Sequence, residues 1–220
     1  GLVGSEMCIR DSCYGDSNTW GFSPKTQTRY SRDVRWTGQL QDSLGEDYLV
    51  VEEGLNGRTT CYDDPIFPQR NGVKGIFACM ETNYPADLVI IMLGTNDSKK
   101  HLKATAFASA KGIEMIAKQI SQGCYGVDGN SPEILVISPI LIGDTITDVW
   151  TGAEFDEHSA EMIAELSAEL QKMAKQNGYH FMDAGLIAGP DPLDSIHLNV
   201  HGHTLLAQAI KNRVLQILNA

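Results

Sequence analysis

The residues best placed to do chemistry lie in four turn-like stretches. Gly15-Asp16-Ser17-Asn18-Thr19-Trp20-Gly21 sets a serine among small and turn-forming residues. A serine just past a strand end can present its hydroxyl above a sheet, with its own N–H pointing into the same space. It can equally be a plain turn or cap residue. It is not the G-x-S-x-G elbow, because position 19 is Thr, and no other serine satisfies that pattern. Glu53–Thr60 offers glycines, among them Gly57, whose backbone N–H groups a ligand can approach closely. In Leu93-Gly94-Thr95-Asn96-Asp97 the Asn96 amide is an uncharged N–H donor, or simply an asparagine that makes a turn. In Asp194-Ser195-Ile196-His197 the spacing of three lets the carboxylate reach the ring, hold its tautomer and stabilise the imidazolium.

These turns need elements to bring them together. Short apolar runs rich in Val, Ile and Leu predict strands at Asp47–Val51, Asp87–Leu93, Glu133–Ser138 and Tyr179–Met182, after a first strand that ends near Cys13-Tyr14. Helical patterns cover Val34–Leu44, Ala104–Gln122, Glu157–Asn177 and Val200–Leu218. Within Glu157–Asn177, Met162, Leu166, Leu170, Met173 and Ala174 recur every three or four residues as a core stripe, and Asn177-Gly178 supplies the stop. Alternating strands and helices imply parallel pairing by right-handed crossovers, with helices on both faces. The expected architecture is an α/β fold, a three-layer α/β/α sandwich of about five parallel strands. Sites in such sheets lie at the carboxyl ends of the strands, which is where all four turns fall.

Composition narrows the function classes. The 220 residues are 42% hydrophobic and 20% charged, enough for one domain with a sizeable core. The net charge of −11, with no cluster of Lys and Arg, argues against nucleic acid and against anionic membranes. No apolar run is long enough to span a bilayer. Five scattered cysteines (Cys8, Cys13, Cys61, Cys79, Cys124) without a CxxC pair read as free thiols. Together with the lack of a secretory pattern, they make the cytoplasm the expected compartment. No cofactor is expected, since neither G-x-G-x-x-G nor a phosphate-binding loop occurs. His197, His201 and His203 lack a matching Cys or carboxylate, so no metal is expected; His201 and His203 are assigned to surface or cap positions. Residues 1–12, GLVGSEMCIRDS, place Arg10, Asp11 and Ser12 where a central parallel strand should be apolar. They are read as a non-native leader resembling translated adapter sequence, leaving residues 13–220 as a single domain.

In order along the chain, Gly15-Asp16-Ser17, Gly57, Gly94-Thr95-Asn96-Asp97 and Asp194-x-x-His197 resemble the four signature blocks of the SGNH/GDSL hydrolases. The strings DVRWTG (33–38), EEGLNGRTT (52–60) and LVIIMLGTND (88–97) are similar to a branch of short-chain arylesterases, some of which also act as acyltransferases or perhydrolases. The resemblance implies a flavodoxin-like scaffold, with Ser17 as nucleophile, His197 as general base and Asp194 as its orienting carboxylate. It also implies an oxyanion hole formed by the Ser17 N–H, the Gly57 N–H and the Asn96 side chain. Asp16, Arg58 and Asp97 are assigned to holding the turns. Trp20, Phe22, Ile140, Trp150 and Phe155 are candidates for an acyl or aryl pocket or for a subunit contact, since members of the branch form homo-oligomers. The expected partner is a small-molecule ester, neutral rather than anionic given the net charge. Carbohydrate O-acetyl ester hydrolysis is the alternative activity. A non-catalytic binding module on the same scaffold would lack part of the triad or oxyanion site, and each part has a candidate here.

Overall fold

The computed structural model describes residues 9–219. Strands β1 (Ile9–Gly15), β2 (Tyr48–Gly54), β3 (Leu88–Met92), β4 (Glu133–Ser138) and β5 (His180–Asp183) form one parallel sheet in the order β2-β1-β3-β4-β5. This is the flavodoxin-like order, with the switch point between β1 and β3. Helices α1 (Ser17–Trp20), α2 (Trp36–Leu44), α3 (Gly72–Asn83), α4 (Ala106–Gln122), α5 (Glu157–Asn177) and α6 (Val200–Leu218) complete the three layers.

Strands β3 (LVIIM) and β4 (EILVIS) are apolar almost throughout because both faces of the sheet are covered. On one side Tyr14, Val89, Ile91, Ile134 and Val136 pack with Ile76, Ile113 and Leu166 of α3, α4 and α5. The alternate residues Cys13, Val50, Leu88, Ile90, Leu135 and Ile137 pack with Leu40, Leu206 and Ile210 of α2 and α6. Helix ends are set by local chemistry. Asp156 and Ser159 make a reciprocal capping box at the start of α5, and Gly178 ends it in the left-handed conformation.

Two elements differ from expectation. Helix α3 carries Gly72 and Gly75 and leaves Phe77 exposed, so its apolar repeat is weak; it is held by the Asn71 cap and by Ile76 and Met80 in the core. Strand β1 starts no later than Ile9, and Ile9–Ser12 pair with Tyr48–Val51 in register. Four residues of this strand, Ile9–Ser12, thus precede the boundary expected at Cys13. Strand pairing joins backbones and accepts Arg10–Ser12 whatever their side chains. Residues 1–8, including Cys8, lie outside the described residues. Cys13, Cys61, Cys79 and Cys124 are free thiols.

Candidate active site

Strand β1 delivers Gly15 to the switch point, and the chain turns at once into α1. Asp16 caps that helix, its carboxylate accepting the Asn18 N–H at 3.0 Å. Burial pushes the Asp16 carboxyl up to about 6. Ser17 is thus the first residue of a helix one turn long. Two glycines let this turn sit low over the strand ends. A Cβ on Gly54 would lie 2.2 Å from the Trp20 nitrogen, and one on Gly15 would lie 2.0 Å from the Thr19 hydroxyl.

The loop between β5 and α6 meets this turn from the other side. Asp194 Oδ1 accepts the backbone N–H groups of Ile196 (3.1 Å) and His197 (3.0 Å), closing the loop on itself. Its Oδ2 lies 2.6 Å from His197 Nδ1, and His197 Nε2 lies 2.8 Å from Ser17 Oγ. Asp194 is fully buried, and Ser17 and His197 are nearly so. Thr151, from the long segment between β4 and α5, donates its hydroxyl to the Asp194 carbonyl. The Phe22 ring packs on the imidazole with centroids 4.4 Å apart. The Asn18 side chain ties the two loops directly. Its Nδ2 donates to the Ile196 carbonyl at 3.0 Å and its Oδ1 accepts the Leu198 N–H at 2.9 Å.

Gly57 and Asn96 complete the rim. Gly57 has φ = 78°, a left-handed conformation that favours glycine. Asn96 donates one amide N–H to the Arg58 carbonyl at 3.2 Å, which fixes the amide plane and leaves its second N–H for the cavity. Arg58 donates to the Gly15 carbonyl at 2.8 Å and stacks over the Tyr14 ring, 3.9 Å from its centroid. Asp97 accepts the Thr60 N–H at 2.8 Å and the Thr60 hydroxyl at 2.5 Å. Burial raises the Asp97 carboxyl to about 6. Arg58 and Asp97 therefore lock the second and third turns to each other and to β1.

A cavity of about 320 Å³ opens over these groups. Ser17, Gly57, Asn96 and His197 line it, with Phe22, Trp150 and Phe155 as apolar walls. Trp20 and Ile140 do not line it, which corrects the sequence reading. Trp20 ends α1 and turns away under the Arg29 guanidinium, 5.3 Å from its ring centroid. Ile140 follows β4 into the core shared with α6. His203 is also corrected: it is fully buried, and its Nδ1 accepts the Trp36 N–H at 3.2 Å. Burial lowers its pKa to about 3, so it is neutral in the fold. His201 is exposed, as expected. Asn18, Thr151, Arg70 and Lys99 are site residues that sequence reasoning did not single out. The only local signal among them is the adjacency of Asn18 to Ser17.

Among the described residues no group of three or more His, Cys, Asp or Glu side chains is placed to share a metal ion, and no helix is long and apolar enough to cross a membrane.

Comparison with known proteins gives the family and the fold likeness. Residues 13–205 match the GDSL-like lipase/acylhydrolase family. The structure superposes on the native aryl esterase of M. smegmatis with a TM-score of 0.89 and 36% identity, covering 94% of this chain and 99% of that one. A carbohydrate acetylesterase from Sinorhizobium meliloti gives a TM-score of 0.89 and 34% identity over 95% of this chain and 99% of that one. An acetylxylan esterase from Xylanibacter ruminicola is 28% identical over 227 aligned positions, 93% of this chain. The chain spans 43% of the length of that curated relative. By the extent of the family match and of these likenesses, the chain belongs to the GDSL-like lipase/acylhydrolase family.

Proposed function

We propose that the protein is a serine esterase that cleaves short-chain acyl esters through an acyl-enzyme. The observation that carries this reading is the unbroken relay from Asp194 through His197 to Ser17, at 2.6 and 2.8 Å, ending in the cavity. Ser17 Oγ attacks the ester carbonyl while His197 Nε2 takes its proton, with Asp194 stabilising the imidazolium that forms. The negative charge moves to the carbonyl oxygen, which the N–H groups of Ser17 and Gly57 and the free Asn96 N–H would hold. Collapse expels the alcohol, which receives the proton from His197 and leaves an acyl group on Ser17. Water activated by the same histidine completes hydrolysis. An alcohol in its place gives acyl transfer, and hydrogen peroxide gives a peracid.

The test is p-nitrophenyl acetate hydrolysis by the wild type and by Ser17→Ala. Loss of the nucleophile should lower kcat by about 10⁴-fold or more. Equal rates in the two proteins would remove Ser17 from this role.

A second reading, carbohydrate O-acetyl ester hydrolysis, is favoured by the likeness to a carbohydrate acetylesterase and an acetylxylan esterase. Rates on aryl acetates and on acetylated xylo-oligosaccharides separate the two; much faster sugar deacetylation would reverse their order.

A further inference from the structure

Two cations stand on the wall of the catalytic cavity, and only one is neutralised. The Lys99 ammonium lies 2.8 Å from Glu154 and 3.5 Å from Asp64, with its side chain nearly buried. Its charge is used within the protein. Arg70 lines the same cavity, yet among the described residues its guanidinium makes no ion pair and donates no hydrogen bond. The rest of the residue is anchored. Its carbonyl accepts the Thr59 N–H at 3.0 Å, and the next residue, Asn71, caps α3. A Cβ built on Gly57 would lie 3.6 Å from Arg70 Nε, so the guanidinium stands beside the glycine assigned to the oxyanion.

Of the ionised side chains that line the cavity, Arg70, Lys99 and Glu154, Lys99 is paired with Glu154 and with Asp64 behind it, which leaves Arg70 without a counter-charge. The chain as a whole carries −11. Surface charges more than about 8 Å away are largely screened at physiological salt, so the net charge of the chain does not decide what binds beside Arg70. A half-buried guanidinium without a partner presents a planar fork of donors that matches a carboxylate in two parallel hydrogen bonds.

We infer that Arg70 forms a subsite for a carboxylate carried by the ester substrate, so that acidic esters are accepted despite the acidic net charge. The inference rests on the esterase reading and adds to it a substrate class. Because Arg70 adjoins Gly57, the carboxylate would sit within a few bonds of the scissile carbonyl, on either the acyl or the alcohol side.

Two matched pairs of esters test it with the wild type, Arg70→Gln and Arg70→Lys. p-Nitrophenyl hemisuccinate against p-nitrophenyl butyrate places the carboxylate on the acyl side; p-acetoxybenzoate against phenyl acetate places it on the alcohol side. In one pair, Arg70→Gln should lower the ratio of acidic to neutral kcat/KM by roughly 10- to 100-fold, chiefly through KM, with Arg70→Lys retaining part of it. The responding pair identifies the side. Ratios within about twofold of wild type in both pairs would overturn the inference and leave the esterase reading standing. So would an equal fall on acidic and neutral esters, which would assign Arg70 to the oxyanion instead. Turnover of the neutral esters by each variant shows that it is folded. Failure of the wild type on all four esters would sink the esterase reading, and this inference with it.

Discussion

Asn18 holds Leu198 across 180 residues of sequence, its side-chain oxygen accepting the Leu198 N–H at 2.9 Å. The same amide donates to the Ile196 carbonyl at 3.0 Å, so one side chain grips the backbone on both sides of His197. Asn18 is the neighbour of Ser17 and is fixed by the Asp16 cap. The distance from Ser17 Oγ to His197 Nε2 is therefore set by this clamp as well as by the hydrogen bond between them.

Asn18→Leu keeps the volume but removes both bonds. It leaves a buried carbonyl and a buried N–H without partners, at about 1–3 kcal/mol each. The melting temperature should fall by several degrees. With the histidine loop loosened, kcat on p-nitrophenyl acetate should fall about 10- to 100-fold, with KM moving far less. A variant that melts lower but keeps its kcat would show that the clamp stabilises the fold without orienting the base.

Asn96→Ala removes the only side-chain donor assigned to the oxyanion and frees the Arg58 carbonyl it now satisfies. Loss of one such donor costs about 10²–10³ in kcat. Because the interaction strengthens only as charge develops, KM should change little. A loss of less than about tenfold would mean that the amide does not face the developing charge.

Gly54→Ala tests how tightly the nucleophile turn is seated. The added methyl would meet the backbone of Trp20 at 2.2 and 2.5 Å, where no side chain can swing aside. Overpacking of this kind costs about 1–3 kcal/mol. The melting temperature should drop, and the shift of α1 should lower kcat as well. Gly189→Ala, whose methyl would meet nothing within 4 Å, is the control and should be near neutral. Similar stability and activity in the two variants would show that α1 tolerates displacement.

Much of the site is legible in the sequence because it depends on local chemistry. Apolar runs mark β3 and β4, and turn-forming residues mark where each strand hands over to a loop. The Asp194-x-x-His197 spacing closes its own turn through Oδ1. What is not legible depends on rotation and on distance along the chain. Trp20 and Phe22 are two residues apart, and only the end of α1 decides that Phe22 faces His197 while Trp20 faces Arg29. Thr151 reaches the Asp194 carbonyl from a segment with no periodic pattern. His203 falls on the same stripe of α6 as Leu206, Ala207, Ile210, Val214 and Ile217, so its burial follows from helical spacing; the spacing does not reveal the Trp36 N–H that its Nδ1 accepts.

Asp11 shows a conflict between sequence and fold that can be measured. Its backbone pairs with Val50 and Leu88, but its side chain is fully buried and both carboxylate oxygens lack partners. Burial, with a smaller contribution from Asp87, raises its pKa from 3.8 to about 7. Between those values the folded chain keeps a proton that the unfolded chain has released, so stability falls as pH rises from about 4 to about 7. The full displacement corresponds to at most roughly 4 kcal/mol. Asp11→Val, the residue type expected in a covered parallel strand, removes this term and should raise the melting temperature. The gain should be small near pH 4 and largest above pH 7, read by thermal melts of both proteins across that range. A gain that is absent, or that does not grow with pH, would show that Asp11 finds a partner or water in solution.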